Sequence, residues 1–255
     1  MRNVMAIAGK ELRSYFASPI AYIITGLFAF IFGIFFIGSL NWFVENSMGA
    51  DQFGGGRPMN VNQDLIRYAL SQASVVMLFL LPMITMRTYA EEKRSGTSEL
   101  LLTSPITDVQ IIVGKFLGAM ALYCMMLLVT VLLMLVLFVY GRPEIKPLFA
   151  AYLGLVLLGG SFISFGLFIS SLTKNQIVAA VGTFTLVLVL WIIDWLGDQA
   201  GPATREILSY LSITKHFDDF AKGVIDTKHV IYYLSFITFG LFLTAKAVDA
   251  ERWRG

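Results

Sequence analysis

The chain has 255 residues, of which 57% are hydrophobic and 14% charged, and its net charge is +2. A soluble domain carries about 25% charged residues. A mean hydropathy of +0.74 with so little charge excludes an ordinary water-soluble domain and makes the bilayer its natural solvent. The near-neutral balance argues against a nucleic-acid partner, and a single cysteine, Cys124, excludes an internal disulfide framework or cysteine-based metal site.

Residues 1–18 open the chain as an amphipathic helix. Met1, Val4, Met5, Ala8, Leu12, Tyr15 and Phe16 share one helical face, with Arg2, Asn3, Lys10, Arg13 and Ser14 opposite. Such a helix lies in the membrane surface, its basic face toward water and headgroups, and its candidate functional residues are Lys10, Glu11 and Arg13. Charges scattered along it, with no short apolar core, argue against a cleavable signal peptide. Pro19 disfavours helical geometry at Ser18 and marks a break before the bilayer.

Six apolar stretches follow, at 20–43, 66–86, 110–139, 148–171, 176–195 and 230–246. Each suits a membrane span of about 20 residues. All are expected to be helical, because an open strand edge has no partners in lipid. The last is short and extends by Lys246 reaching to the headgroups. The chain is thus expected to be an all-α integral membrane protein, a single transmembrane domain over 1–255. Lysines and arginines favour the segments on the N-terminal side, which gives cytoplasmic N and C termini.

The connecting segments differ in character. Glu45 to Gln63 contains Gly54-Gly55-Gly56 and reads as flexible. Residues 197–228, on the outer side, read as two short amphipathic helices. The first carries Ile207, Leu208 and Leu211, and the second Phe217, Phe220 and Val224. The loop 88–106 is charged yet patterned. Tyr89, Glu91, Glu92, Lys93 and Arg94 fit a short helix that Gly96 can end in a left-handed conformation, and Thr107 or Asp108 can cap the next span. A charged helix held just below the bilayer suits docking of a cytoplasmic protein; an ordinary solvated loop is the alternative.

Catalytic signals are missing. The span interiors are read as free of Asp, Glu, Lys, Arg and His, so no proton relay is legible, since a charge at mid-bilayer costs about 2.5–3.5 kcal/mol on the gentler scale. No G-x-x-x-x-G-K-[ST] phosphate loop and no H-E-x-x-H pattern occurs. His216 and His229 are too few for a zinc site without carboxylate help, and Asp218, Asp219 and Asp226 read as a solvated acidic helix face. Gly159-Gly160-Ser161 reads as close helix packing, not as a serine nucleophile.

At the charged loop the sequence resembles a known family. Glu91-Glu92-Lys93-Arg94-x-Gly96-Thr97, followed by Glu99-Leu-Leu-Leu-x-x-Pro105-Ile106, is similar to the permease subunits of type-2 ABC transporters. Three further blocks resemble the gliding-motility-associated branch. They are Lys10-Glu11-Leu-x-Ser14-Tyr-Phe-x-Ser18-Pro19-Ile-x-Tyr22, Leu81-Pro82-x-Ile84-Thr85-Met86-Arg87, and His216-Phe217-x-x-Phe220-x-x-Gly223-Val-Ile-Asp226-Thr.

The resemblance implies the type-2 exporter permease fold, with a cytoplasmic coupling helix and re-entrant outer helices. Tyr89, Glu91, Glu92, Lys93, Arg94, Gly96 and Thr97 would dock a separate cytoplasmic ATPase, present in two copies, which would bind ATP and Mg; this chain would bind no cofactor and catalyse nothing. A second permease copy or related subunit would complete the path, along spans one, two and five. In that branch a membrane subunit with a large extracytoplasmic domain often accompanies the permease, in the bacterial cytoplasmic membrane. An ATPase-independent channel or secondary carrier, and a membrane anchor without transport, are the competing readings.

Overall fold

The protein is described by a computed structural model that covers residues 2–53, 59–97, 106–140, 143–198 and 202–252, and all regular structure among these is helical. In chain order the helices are α1 (Arg2–Ala17), α2 (Pro19–Phe53), α3 (Arg67–Ser95), α4 (Asp108–Tyr140), α5 (Ile145–Leu172), α6 (Gln176–Asp198), α7 (Pro202–Leu211), α8 (Ile213–Ala221) and α9 (Thr227–Arg252). A π-helical turn, Val61–Ile66, leads directly into α3, and the Asn60 side chain caps its first amides.

Among the described residues six helices are long and apolar enough to cross a membrane, over Pro19–Met48, Val61–Ser95, Asp108–Tyr140, Ile145–Leu172, Gln176–Ile193 and Thr227–Glu251. An even number of crossings puts both chain ends on one side, here called the terminal face; the opposite side is the distal face. The helices outrun the expected apolar stretches. Hydrocarbon thickness fixes the apolar length, while the polar turns beyond it stay helical because their backbone groups pair along the helix. For this reason α2 continues through residues 45–53, expected as flexible loop, and α3 continues to Ser95. Gly54-Gly55-Gly56 lies outside the described residues.

The centre of the bundle is α5, which packs against α3, α4, α6, α8 and α9. Its span is 78% buried within the protein, against 17% for that of α6. Small residues make this centrality possible. A Cβ at Gly159 would stand 2.2 Å from Tyr123, and one at Gly166 2.2 Å from Thr85 Oγ1. Ser161 is buried and donates to the Leu157 carbonyl. Close approach of neighbouring backbones is the established use of small residues between spans. By contrast α2 and α6 leave most of their apolar surface exposed, for lipid or another protein to cover.

On α1 the structure adds a protein-facing stripe that the sequence reading did not identify. That stripe is Ile7, Glu11 and Tyr15, not the stripe through Met5, which is 69% exposed. The two stripes are adjacent on the helix, so α1 presents one face to α4 and another outward. The reason is a buried ionic contact that hydropathy cannot register.

Candidate functional site

The terminal ends of α1, α3 and α4 meet around Lys115, a residue on α4 with no exposed side-chain surface. An ammonium has three hydrogens to place, and each finds an acceptor. Glu11 Oε1 lies at 2.7 Å, Glu92 Oε2 at 2.8 Å and the Thr88 carbonyl at 2.8 Å. The Tyr89 ring stands 4.9 Å from the same nitrogen. Lys10 then reaches Glu92 at 3.3 Å. Two cations and two carboxylates balance, which is the condition for burying charge at tolerable cost.

This cluster corrects the sequence reading that the span interiors carry no ionisable group. Its local cause is Gly114-Lys115-x-x-Gly118. A Cβ at Gly114 would meet Ile7 at 2.7 Å, and one at Gly118 would meet the Glu11 Cβ at 2.6 Å. The two glycines let α1 lie close enough for Glu11 to reach Lys115. A small-x-x-x-small spacing around a lone lysine was the available signal, and hydropathy averaging hides it.

The last turns of α3 are braced from several other directions. Arg87 forms a two-pronged pair with Glu91 (2.7 and 3.1 Å) and reaches Ser18 Oγ at 3.0 Å. Tyr15 donates its hydroxyl to the Ile84 carbonyl at 3.2 Å, and burial pushes that phenol above its usual range despite the Thr88 hydrogen bond. Ser170 of α5 donates to the Met86 carbonyl and accepts from the Tyr89 and Ala90 amides. Lys93 pairs with Glu251 of α9 at 2.5 Å and donates to the Ser171 carbonyl. The segment Arg87–Lys93 therefore touches α1, α4, α5, α9 and the α1–α2 joint.

The residues expected to dock an ATPase fall into two groups. Tyr89 is buried, Lys93 nearly so, and the Glu92 side chain is 16% exposed. Glu91 is 47% exposed, and Arg94, Gly96 and Thr97 are exposed. They do not form a separate short helix but the end of α3 itself, closed by Gly96 at φ 72°. Leu100 to Pro105, the returning half of the motif, lies outside the described residues. Lys10 and Arg13 are exposed on α1, while Glu11 is buried.

On the distal face two short helices, α7 packed on α6 and α8 packed on α5, precede α9. Phe217 and Phe220 pack on Gly154 of α5, where a Cβ would stand 2.5 Å from the Phe220 Cβ. Gly154 lies nine residues into α5, about 14 Å along the axis, so α8 sits well below the distal end of that span. Gly223, at φ 87°, closes α8. The Gly223 amide bonds the Phe220 carbonyl and the Val224 amide the Asp219 carbonyl, a left-handed cap. Asp226 caps α9, accepting from the Lys228 amide at 3.0 Å.

The acidic residues here are paired, not simply solvated. Asp218 binds Arg67 at 2.8 Å and Lys222 at 2.9 Å. Burial raises its pKa, but these two cations outweigh burial and hold it below the usual carboxylate range. Asp219 joins His229 at 2.8 Å and Lys222 at 3.4 Å. His216 and His229 are both buried and in contact. No grouping of three or more His, Cys, Asp or Glu suited to a metal ion occurs among the described residues.

Comparison with known proteins gives a consistent assignment. The family described as ABC-2 family transporter protein matches residues 5–248. Two curated relatives, each named Probable multidrug ABC transporter permease YbhR, come from Escherichia coli K12 and Escherichia coli O157:H7. Each is 29% identical over 143 residues, which is 55% of this chain and 38% of the relative. The alignment thus spans about two fifths of the relatives' length. With a family match along nearly its whole length and six candidate spans among the described residues, the chain belongs to the ABC-2 family of transporter proteins.

Proposed function

We propose that this permease converts the movement of a separate ATPase into rearrangement of its spans, and that the force enters at the terminal end of α3. The observation that carries this reading is the bracing of Arg87–Lys93 to four other helices, directly beside the exposed Glu91, Arg94, Gly96 and Thr97. A push on the exposed tip cannot stay local, because the buried side of the same two turns is bonded to α1, α4, α5 and α9. ATP and Mg belong to the partner in this reading, and catalysis with them.

The terminal face is then cytoplasmic and the membrane the bacterial cytoplasmic membrane, with two ATPase copies per complex. The exposed apolar faces of α2 and α6 support pairing with a second permease copy or a related subunit. The motif blocks around Lys10, Leu81 and His216 support placement in the gliding-motility-associated branch, with its extracytoplasmic-domain subunit as a further partner. Export is the direction proposed. A cavity of about 830 Å³ lies between α2 and the start of α3. Ile34 and Phe35 line its deeper end, and Trp42, Asp64 and Arg67 line it nearer the distal face. That order matches an amphiphile standing in the distal leaflet, and supports a lipid-like or otherwise amphipathic cargo.

The test is purification of tagged protein from its native membranes in mild detergent, with mass spectrometry and an ATPase assay. A stoichiometric ATPase should co-purify, and Arg94→Glu with Thr97→Asp should release it while the permease stays folded. Recovery of the permease without any nucleotide-binding chain, under several conditions, would overturn the proposal and favour an ATPase-independent channel or carrier.

A further inference from the structure

The chain has two histidines, and the junction of α8 with α9 brings them together. His216 on α8 and His229 on the first turn of α9 meet Nδ1 to Nδ1 at 2.6 Å. His216 Nε2 lies 2.9 Å from the Tyr210 carbonyl oxygen. His229 Nε2 lies 2.8 Å from Asp219 Oδ2. Both residues are buried, at 5% and 6% exposure, and the His216 ring stacks on Tyr232 with centroids 3.7 Å apart.

Hydrogen-bond accounting fixes the protons. A carbonyl and a carboxylate only accept, so each Nε2 must carry a hydrogen. Between the two Nδ1 atoms there must be one hydrogen, because two bare lone pairs or two N–H groups repel at that separation. The two rings thus hold three hydrogens. Two neutral imidazoles hold two, and two imidazoliums hold four. We propose that His216 and His229 share one excess proton, counterbalanced by Asp219, and that this single-charge state latches α8 to α9 within a window of pH.

The surroundings assign the charge. Burial holds the His216 ring below its usual range; the Tyr210 carbonyl opposes this, and the charges of His229 and Lys228 add to it. Asp219 stands against His229 and the neutral Tyr210 carbonyl against His216, so the excess charge is drawn to the His229 side of the pair. From α8 the pair is faced by Asp219, with Asp218, Lys215 and Lys222 on the same short helix. From α9 come Asp226, Lys228, Tyr232 and Tyr233, and from α7 Tyr210. Arg67, at the start of α3, reaches the group through Asp218. The central helix α5 meets α8 through Gly154 and Gly223 through Pro147.

Loss of the third proton leaves two lone pairs facing each other. Gain of a fourth sets two N–H donors and two cations in contact. Either change loosens α8 from α9, and the Arg67–Asp218 link carries that loosening to the cavity between α2 and α3. The latch thus reads the pH of the compartment at the distal face.

Because histidine occurs at these two positions, the full chain labelled with [15N]histidine and purified through a histidine-free tag in lipid nanodiscs gives a two-ring spectrum. Within the single-charge window one ring should be neutral with its hydrogen on Nε2, the other protonated at both nitrogens, with coupling across the Nδ1–Nδ1 bond. Two neutral rings, or two rings titrating independently, would overturn the proposal. Asp219→Asn should weaken binding of the third proton about tenfold or more; an unmoved midpoint would remove Asp219 as the counter-charge. Amide exchange over residues 213–226 should be slowest in the single-charge window and faster on both sides of it. His229→Gln, which takes no proton, should flatten that profile, and an unchanged profile in this variant would show that the pair is not the latch.

Discussion

Replacing Lys115 by methionine tests whether the ionic cluster holds α1 in place. Methionine keeps much of the length and all of the burial, so the change isolates the ammonium. In the variant Glu11, 10% exposed, keeps no cation from this cluster. Glu92 keeps only Lys10, at 3.3 Å and from a side chain that is 60% exposed. The Thr88 carbonyl loses its donor as well. Removing one partner of a buried pair costs about 3–5 kcal/mol, because the remaining charge is left uncompensated. For a chain of this size that corresponds to a fall in melting temperature of about 10 °C. The assay is thermal unfolding in detergent followed by tryptophan fluorescence, with hydrogen exchange measured over Arg2–Ala17. Glu11→Leu combined with Lys115→Met removes the orphaned carboxylate and should recover a part of the loss, with a coupling of about 1–3 kcal/mol in the double-mutant cycle. A single variant that melts within about 2 °C of the parent, with α1 exchange unchanged, would refute the reasoning.

Four further outcomes follow from the packing and pairing described above. Glu91→Lys should release the ATPase with little loss of stability, since its partner Arg87 keeps Ser18 and the Glu91 side chain is half exposed. Glu92→Lys should instead lower stability sharply by placing a third cation beside Lys10 and Lys115; co-purification and melting curves of the two variants separate docking from folding. Gly154→Leu should displace α8 and cost about 1–3 kcal/mol, read as faster exchange over Ile213–Ala221 with the α1–α4 contact unaffected. Asp218, whose burial is outweighed by Lys222 and Arg67, has a folded pKa below its unfolded one. Its contribution is therefore present above about pH 3.9 and lost as pH falls through the lower folded value. The Arg67–Asp218 link should release only in that acid range, which hydrogen exchange over Val61–Ile66 and Ile213–Ala221 would follow.

The architecture was legible because it depends on properties that one sequence carries by itself. Uncharged apolar runs of the right length identify the six spans, the Pro19 break separates α1 from α2, and Gly96 ends α3 in the left-handed conformation the motif suggested. The site was legible only in part, since its chemistry depends on which side chains meet across the bundle. Lys115 is a single cation that averages out within the apolar stretch 110–139, and Glu11 was singled out only as a candidate residue of an interfacial helix, 104 residues away. What joins them is the pair of glycines flanking Lys115, whose meaning appears only when another helix is laid against them. The acidic residues of α8 were misread for a similar reason: their partners, Arg67 and His229, come from other helices.

In the proposed coupling role, these buried contacts would let the end of α3 serve both recognition and transmission. A coupling element must be exposed to meet its partner and rigid to transmit force, and a few exposed polar turns on their own are not rigid. At the end of α3 the two requirements are divided between faces of the same two turns. Glu91, Arg94 and Thr97 face outward, while Tyr89, Glu92 and Lys93 face inward and are bonded to α1, α4, α5 and α9. Variants on the outward face should change recognition without changing the bundle, and variants on the inward face should do the reverse. A tip that still binds the ATPase normally, in a Lys115 variant that no longer couples hydrolysis to transport, would be the result that distinguishes transmission through the buried cluster from simple adhesion.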